Sequence, residues 1–195
     1  MFAVIFEVNP RPDAWDAYLG HAATLRPELV AIDGFIANER YSSLTRPGWL
    51  VSLSIWRDEK ALVRWRTHAL HHEIQGKGRS SVFADYHLRV GEIVSDTGIA
   101  EPLMQSRFDS TEVGAAKAIT LTERPLDPEP VAAAPDRDAF DSITQPGNGL
   151  YIRSWPDLAA AETGISATAG RHRVVRVIRD YGMFARTEAP QYFPA

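Results

Sequence analysis

The sequence contains no cysteine. Disulfides, thiolate metal sites, iron–sulfur clusters and a cysteine nucleophile are excluded together. Positive charge is also in short supply: 21 basic against 25 acidic residues leave a formal net charge of −4, whereas a phosphate backbone selects a basic surface. No nucleic acid partner is expected. Long apolar runs are missing too. Phe2-Ala3-Val4-Ile5-Phe6 breaks at Glu7, while a membrane helix needs roughly 20 apolar residues and a secretory signal needs a basic flank. The expectation is a cytoplasmic protein with no membrane partner. There is no Walker sequence, glycine-rich phosphate loop or serine nucleophile elbow, and Gly76-Lys77-Gly78-Arg79 reads as a helix stop. No cofactor is expected.

What the chain does have is 195 residues, 45% of them hydrophobic and 10% aromatic, enough to bury a sizeable core. Residues 2–8 are β-rich and stop at Asn9-Pro10-Arg11-Pro12, where two prolines forbid a continuing ladder. Asp13 then reads as the cap of a helix over 13–30, with Trp15, Tyr18, Leu19, Ala22 and Leu25 at helical spacing. A hairpin follows, residues 35–42 and 49–56 joined around Arg46-Pro47-Gly48. Asp58 caps a second helix over 59–75, and residues 82–94 return as a strand. The order is βαββαβ, the ferredoxin-like split motif.

The pattern then restarts after a connector. Residues 118–122 open a new strand, and Gly147 to Trp155 echoes Gly48 to Trp56, both ending in Trp-x-Asp ahead of a helix. Asp180-Tyr181 echoes Asp85-Tyr86 at a similar distance, 25 residues from Trp155 against 29 from Trp56. The second copy is abridged, since Glu123 to Gly147 spans 24 positions where Glu7 to Gly48 spans 41, and four prolines from Pro125 to Pro135 leave no room for a first helix. The expected division is residues 1–95, a linker at 96–117 and a degenerate repeat at 118–195. A ferredoxin-like unit leaves one apolar sheet face uncovered. Two such units in tandem bury it against each other, so the expected fold class is α+β, an intrachain dimeric α+β barrel. Further assembly into a homodimer is left open.

The run Ser54-Ile55-Trp56-Arg57-Asp58-Glu59-Lys60-Ala61-Leu62-Val63-Arg64-Trp65, followed by His71-His72, Gly78-Arg79 and Phe83-Ala84-Asp85-Tyr86, resembles the antibiotic biosynthesis monooxygenase (ABM) domains over roughly residues 1–95. That family includes cofactor-free oxygenases of aromatic polyketides or quinols and haem-degrading enzymes. For haem degradation the resemblance would ask for an asparagine on strand one and a histidine nine or ten residues after the helix tryptophan. Ile74 and Gln75 stand at those two places after Trp65, and Asn9 lies only at the strand's end. The resemblance implies a cofactor-independent monooxygenase of a small hydrophobic aromatic molecule. A non-catalytic ligand-binding or structural barrel is the alternative, and haem degradation a further one.

On a 100° wheel the second helix sets Ala61, Leu62, Trp65, Ala69, His72 and Gly76 on one side, which must face the sheet. His72 is therefore the expected base, beside Trp65, with His71 turned toward solvent and His68 at the edge of the stripe. An imidazole in an enclosed apolar place tends to be neutral and can accept a proton from a phenol or quinol. Trp65, Tyr86, His68 and an inward Arg40 are the expected substrate contacts, Arg40 through a charge-assisted bond to a substrate anion. His68 and His72 at i and i+4 lack a third ligand, so no metal is expected. Arg171, Arg173, Arg176 and Arg179 fall on both faces of one strand; an inward one needs an acidic partner, with Asp180 and Glu188 at hand.

Overall fold

Alternation along the first strand, β1 (Phe2–Pro10), sends its side chains to two different interiors. Ala3 and Ile5 join one cluster, and Phe2 and Val8 join two others. The computed structural model, which describes residues 1–129, 131–132, 134–165 and 169–190, shows why both faces are apolar. Eight antiparallel strands close into a barrel in the order β1-β3-β2-β6-β7-β5-β8-β4, with β2 at Phe35–Ser43, β3 at Leu50–Trp56, β4 at Phe83–Asp96, β5 at Ala118–Pro125, β6 at Arg137–Ser142, β7 at Asn148–Trp155 and β8 at Arg171–Gly182. One face of β1 fills that barrel, and the other meets helices.

Among the described residues four α-helices lie outside: α1 (Trp15–Ala31), α2 (Glu59–Thr67), α3 (Ala69–Lys77) and α4 (Leu158–Gly164). Between β5 and β6 there is no helix among the described residues, as the prolines there require; Pro130 of that run lies outside them, as does the end of the chain beyond residue 190. Asp58 and Asp157 cap α2 and α4, each carboxylate accepting from the amide three residues on at 2.8 Å. Asp13 does not act as the expected cap. It sits in a 3-10 turn, Pro12–Ala14, and α1 starts one turn later without a side-chain cap.

Ile5, Val51, Leu53 and Ile55 pack inside the barrel against Ile119, Leu121, Phe140, Leu150, Ile152, Val175 and Val177. The halves meet along two seams, β2–β6 and β4–β8, which leave no strand edge open. At β4–β8 the backbones come so close that a Cβ on Gly91 would lie 2.3 Å from the Arg176 carbonyl oxygen.

The polar face of β4 also turns into the barrel. Arg89 donates to Glu7, and to the Ser154 hydroxyl at 2.9 Å, while Arg46 bridges Glu7 and Asp138. Arg173 is the inward arginine of β8, and its partners are Asp96 at 3.0 Å and Glu123 at 2.9 Å rather than Asp180 or Glu188. Asp180 instead accepts from His87 at 2.6 Å, and Glu188 offers only its backbone carbonyl, to Arg179. The Arg173–Asp96 and His87–Asp180 pairs cross the β4–β8 seam.

Burial alone would raise the Glu7 carboxyl, but Arg89 and Arg46 beside it outweigh burial and hold it below the usual carboxylate range. A depressed folded value adds stability above the unfolded value and loses it as pH falls through the folded one. Glu7→Gln should therefore flatten the acid limb of a denaturation profile below about pH 4.5. It should also lower stability at pH 7 by about 3 kcal/mol, because Arg89 and Arg46 lose their buried counter-charge. Urea melts at a series of pH values check both.

Candidate active site

The outer face of β1, β3 and β4 is not packed tightly beneath the helices. Between it and α1, α2 and α3 lies a cavity of about 730 Å³, ample for a small organic molecule. Its floor is made of Val4 and Phe6 of β1, Asn38 and Arg40 of β2, Ser52 and Ser54 of β3, and Tyr86, Leu88 and Val90 of β4. Tyr18, Leu25 and Leu29 of α1 and Leu62 and Trp65 of α2 form its roof. Tyr181 and the segment after β8, with Arg186, Thr187, Ala189 and Pro190, close one side.

Of the residues singled out from the sequence, His72, Trp65, Tyr86 and Arg40 line this one cavity, and His68 does not. His68 ends α2 with an extended backbone (φ −60°, ψ 126°), so the expected single helix over 59–75 is two helices hinged at this residue. Its ring lies 3.4 Å from the Glu28 carboxylate and stacks on Trp65. The hinge also changes the helical phase. His71, expected to face solvent, stacks on Trp65 with ring centroids 4.1 Å apart and an interplanar angle of 13°. It lines the cavity alongside His72.

His71 has a defined protonation pattern. Its Nδ1 lies 2.8 Å from the Trp65 carbonyl oxygen, which only accepts, so Nδ1 carries the proton and Nε2 keeps its lone pair. Burial pushes the imidazole down to about 4, against the raising effect of that hydrogen bond. Three tyrosines, Tyr18, Tyr86 and Tyr181, share the cavity with arginines. Burial raises Tyr18, and the neighbouring Arg40 guanidinium, which donates to its hydroxyl, offsets part of the rise. Burial likewise raises Tyr181, and Arg186 donates to the Tyr86 hydroxyl.

Tyr18 and the segment around Arg186 went unnoticed in the sequence. Tyr18 fits the apolar stripe of α1 and reads as packing, and Arg186 follows a strand with no motif to mark it. Among the described residues, no group of three or more histidines or carboxylates is placed to hold a metal ion, and no helix is long and apolar enough to cross a membrane.

A barrel of this topology with a helix-covered cavity is the architecture of the ABM proteins, and comparison with known proteins agrees. The antibiotic biosynthesis monooxygenase model matches residues 1–77. A jasmonate monooxygenase of Pyricularia oryzae is 42% identical over 215 residues, covering 100% of this chain and 99% of that protein. The chain belongs to the antibiotic biosynthesis monooxygenase family. Among solved structures, an antibiotic biosynthesis monooxygenase matches 49% of this chain and 100% of its own at 19% identity and a TM-score of 0.43. An anthrone oxidase-like protein matches 97% of this chain and 96% of its own at 11% identity and a TM-score of 0.39.

Because folding holds His71 near 4 while its unfolded value is 6.5, the unfolded chain binds the extra proton first as pH falls. Its contribution to stability is complete above about pH 6.5 and is lost toward pH 4, on the order of 3 kcal/mol in all. Nitrogen NMR of the imidazoles should show His71 as the neutral Nδ1–H tautomer down to about pH 4.5. A midpoint near 6.5 would contradict the buried stack.

Proposed function

We propose that the chain is a cofactor-independent monooxygenase whose substrate, a small and largely apolar molecule, binds in the cavity beneath α1–α3, with His72 as the base. The observation that carries this reading is the cavity itself, which brings His72, Trp65, Tyr86 and Arg40 to one apolar-walled space in a member of a monooxygenase family. His71 is a poor base for the task. A conjugate acid near 4 accepting a proton from a phenol of pKa about 10 would run uphill by about 8 kcal/mol. It serves instead as a fixed acceptor and as the plate that holds Trp65, leaving proton removal to His72.

Without a cofactor the substrate must supply its own electrons. A carbon or hydroxyl made acidic by a neighbouring carbonyl or ring loses its proton to His72, and the resulting anion passes an electron to dioxygen. For an activated CH2 group the balance is CH2 plus O2 giving C=O plus water, with no outside reductant. Quinols and polyketide-like anthrones meet this condition; jasmonate, the compound named for the relative from Pyricularia oryzae, carries a simple ring ketone whose α-hydrogens are far less acidic. Hydroxylating an unactivated C–H would instead need two external electrons.

We read the barrel as a tandem of two ferredoxin-like copies. The strand orders β4-β1-β3-β2 and β8-β5-β7-β6 correspond, and so do the caps at Asp58 and Asp157. On this reading residues 1–95 carry the chemistry and 118–195 act as the built-in partner, joined by the segment at 96–117.

An oxygen electrode tests the proposal with jasmonate, an anthrone and a quinol, each with and without an added reductant. Wild type should consume oxygen with at least one of them without reductant, and His72→Ala should be slower by about 100-fold or more. Equal rates in the two proteins would remove His72 from the role. No uptake by wild type would make the barrel a binding module.

A further inference from the structure

The cavity's charge is one-sided. Five arginines line it, Arg26, Arg40, Arg66, Arg79 and Arg186, together with His21, His71 and His72, and no aspartate or glutamate does. None of the five forms an ion pair among the described residues; the same holds for Arg11, Arg137, Arg176 and Arg179 outside the cavity, while Arg46, Arg57, Arg89, Arg107 and Arg173 are paired. In a chain with more acidic than basic residues, that segregation calls for a negative charge supplied from outside.

Arg40 is the best placed to receive it. It is carried by a barrel strand, where the backbone is held by β3 on one side, rather than by a helix or the segment after β8. Its Nε is buried and has no partner, an arrangement that is unfavourable until an acceptor arrives. Around it stand the Tyr18 hydroxyl and the floor residues Asn38 and Ser52, the last two bonded to each other at 2.9 Å. Arg186 likewise donates to a tyrosine hydroxyl, that of Tyr86, but it is carried by the segment after β8 rather than by a barrel strand.

We infer that the cavity selects a substrate with an ionised carboxylate, and that Arg40, with Tyr18 beside it, binds that carboxylate while Leu25, Leu29, Leu62 and Trp65 enclose the apolar body. This rests on the cavity being the substrate site, as proposed above. The acid is then recognised as an anion, and the neutral ester of the same molecule lacks the group that Arg40 holds.

Calorimetric titration of the full chain with jasmonic acid and with its methyl ester tests this apart from catalysis. Wild type should bind the acid at least tenfold more tightly. Arg40→Gln should weaken the acid by about 30-fold or more and leave the ester unchanged, Arg40→Lys should recover part of the loss, and Arg137→Gln, far from the cavity, should change neither. Equal affinities of acid and ester for wild type would overturn the inference whether or not the Arg40 variants fold. A loss for the acid in Arg186→Gln but not in Arg40→Gln would overturn the assignment to Arg40. Tight, Arg40-dependent binding of the acid without oxygen uptake from any substrate would uphold this inference and sink the catalytic reading. Oxygen uptake with neutral quinols and no preference for the acid would do the reverse.

Discussion

Closure of the barrel is the constraint on which the rest depends. Once β2 meets β6 and β4 meets β8, every strand is paired on both sides, and the inward side chains must fill a fixed volume. Aliphatic residues fill most of it, with Tyr41 and Phe140 as the aromatic members. The remainder is taken by charged groups that are acceptable there only because each is matched, Glu7 with Arg89 and Arg46, and Arg173 with Asp96 and Glu123. These pairs join residues 39 to 82 positions apart in the sequence. Closure and neutralisation therefore stand or fall together, and the outer face of the first sheet is left free for another use.

The elements of the first 95 residues were legible because alternation in strands and spacing in α1 are local signals that survive in the fold. The β2, β3, β4 and β5 spans and the Asp58 cap could be read directly, and the matching Trp-x-Asp run marked the start of α4. The hinge at His68 could not, since neither proline nor glycine marks it and nothing in a wheel drawn at 100° per residue anticipates an extended residue mid-way. One misplaced ψ rotated every residue after it, which is why His71 and not His72 alone reached the cavity. The partners of Arg173 were hidden for a different reason. Pairings across a barrel depend on register between strands far apart in the chain, and neighbouring acids such as Asp180 are a poor guide to them.

Among the site residues, Trp65, His72, Tyr86 and Arg40 could be gathered from the sequence because each lies on an element whose face is set by periodicity. The wall after β8 could not, because a segment without regular structure has no periodicity to read. Its contribution means the cavity is not the property of one half. Tyr181 and Arg186 come from the far end of the chain and meet Tyr86 of β4.

The space beneath α1–α3 follows from side-chain volume on the strands below it. The outward residues of β3 before its closing tryptophan are Ser52 and Ser54, both on the cavity floor. At the matching places before Trp155, β7 carries Tyr151 and Arg153. Arg124 lies over Tyr151, and Arg153, itself exposed, lies over Trp155, each 4.1 Å from the ring centroid. The short α4 then settles directly on the sheet, with Ala118, Ala161 and Val174 in contact and Gly164 against Trp155. On the first half, two serines leave the floor low while Trp65, stacked on His71, props the helices above it. Space for a ligand thus arises from small residues below and a rigid aromatic pair above. Tyrosine and arginine in place of Ser52 and Ser54, as β7 carries before Trp155, should fill the cavity without disturbing the barrel beneath it.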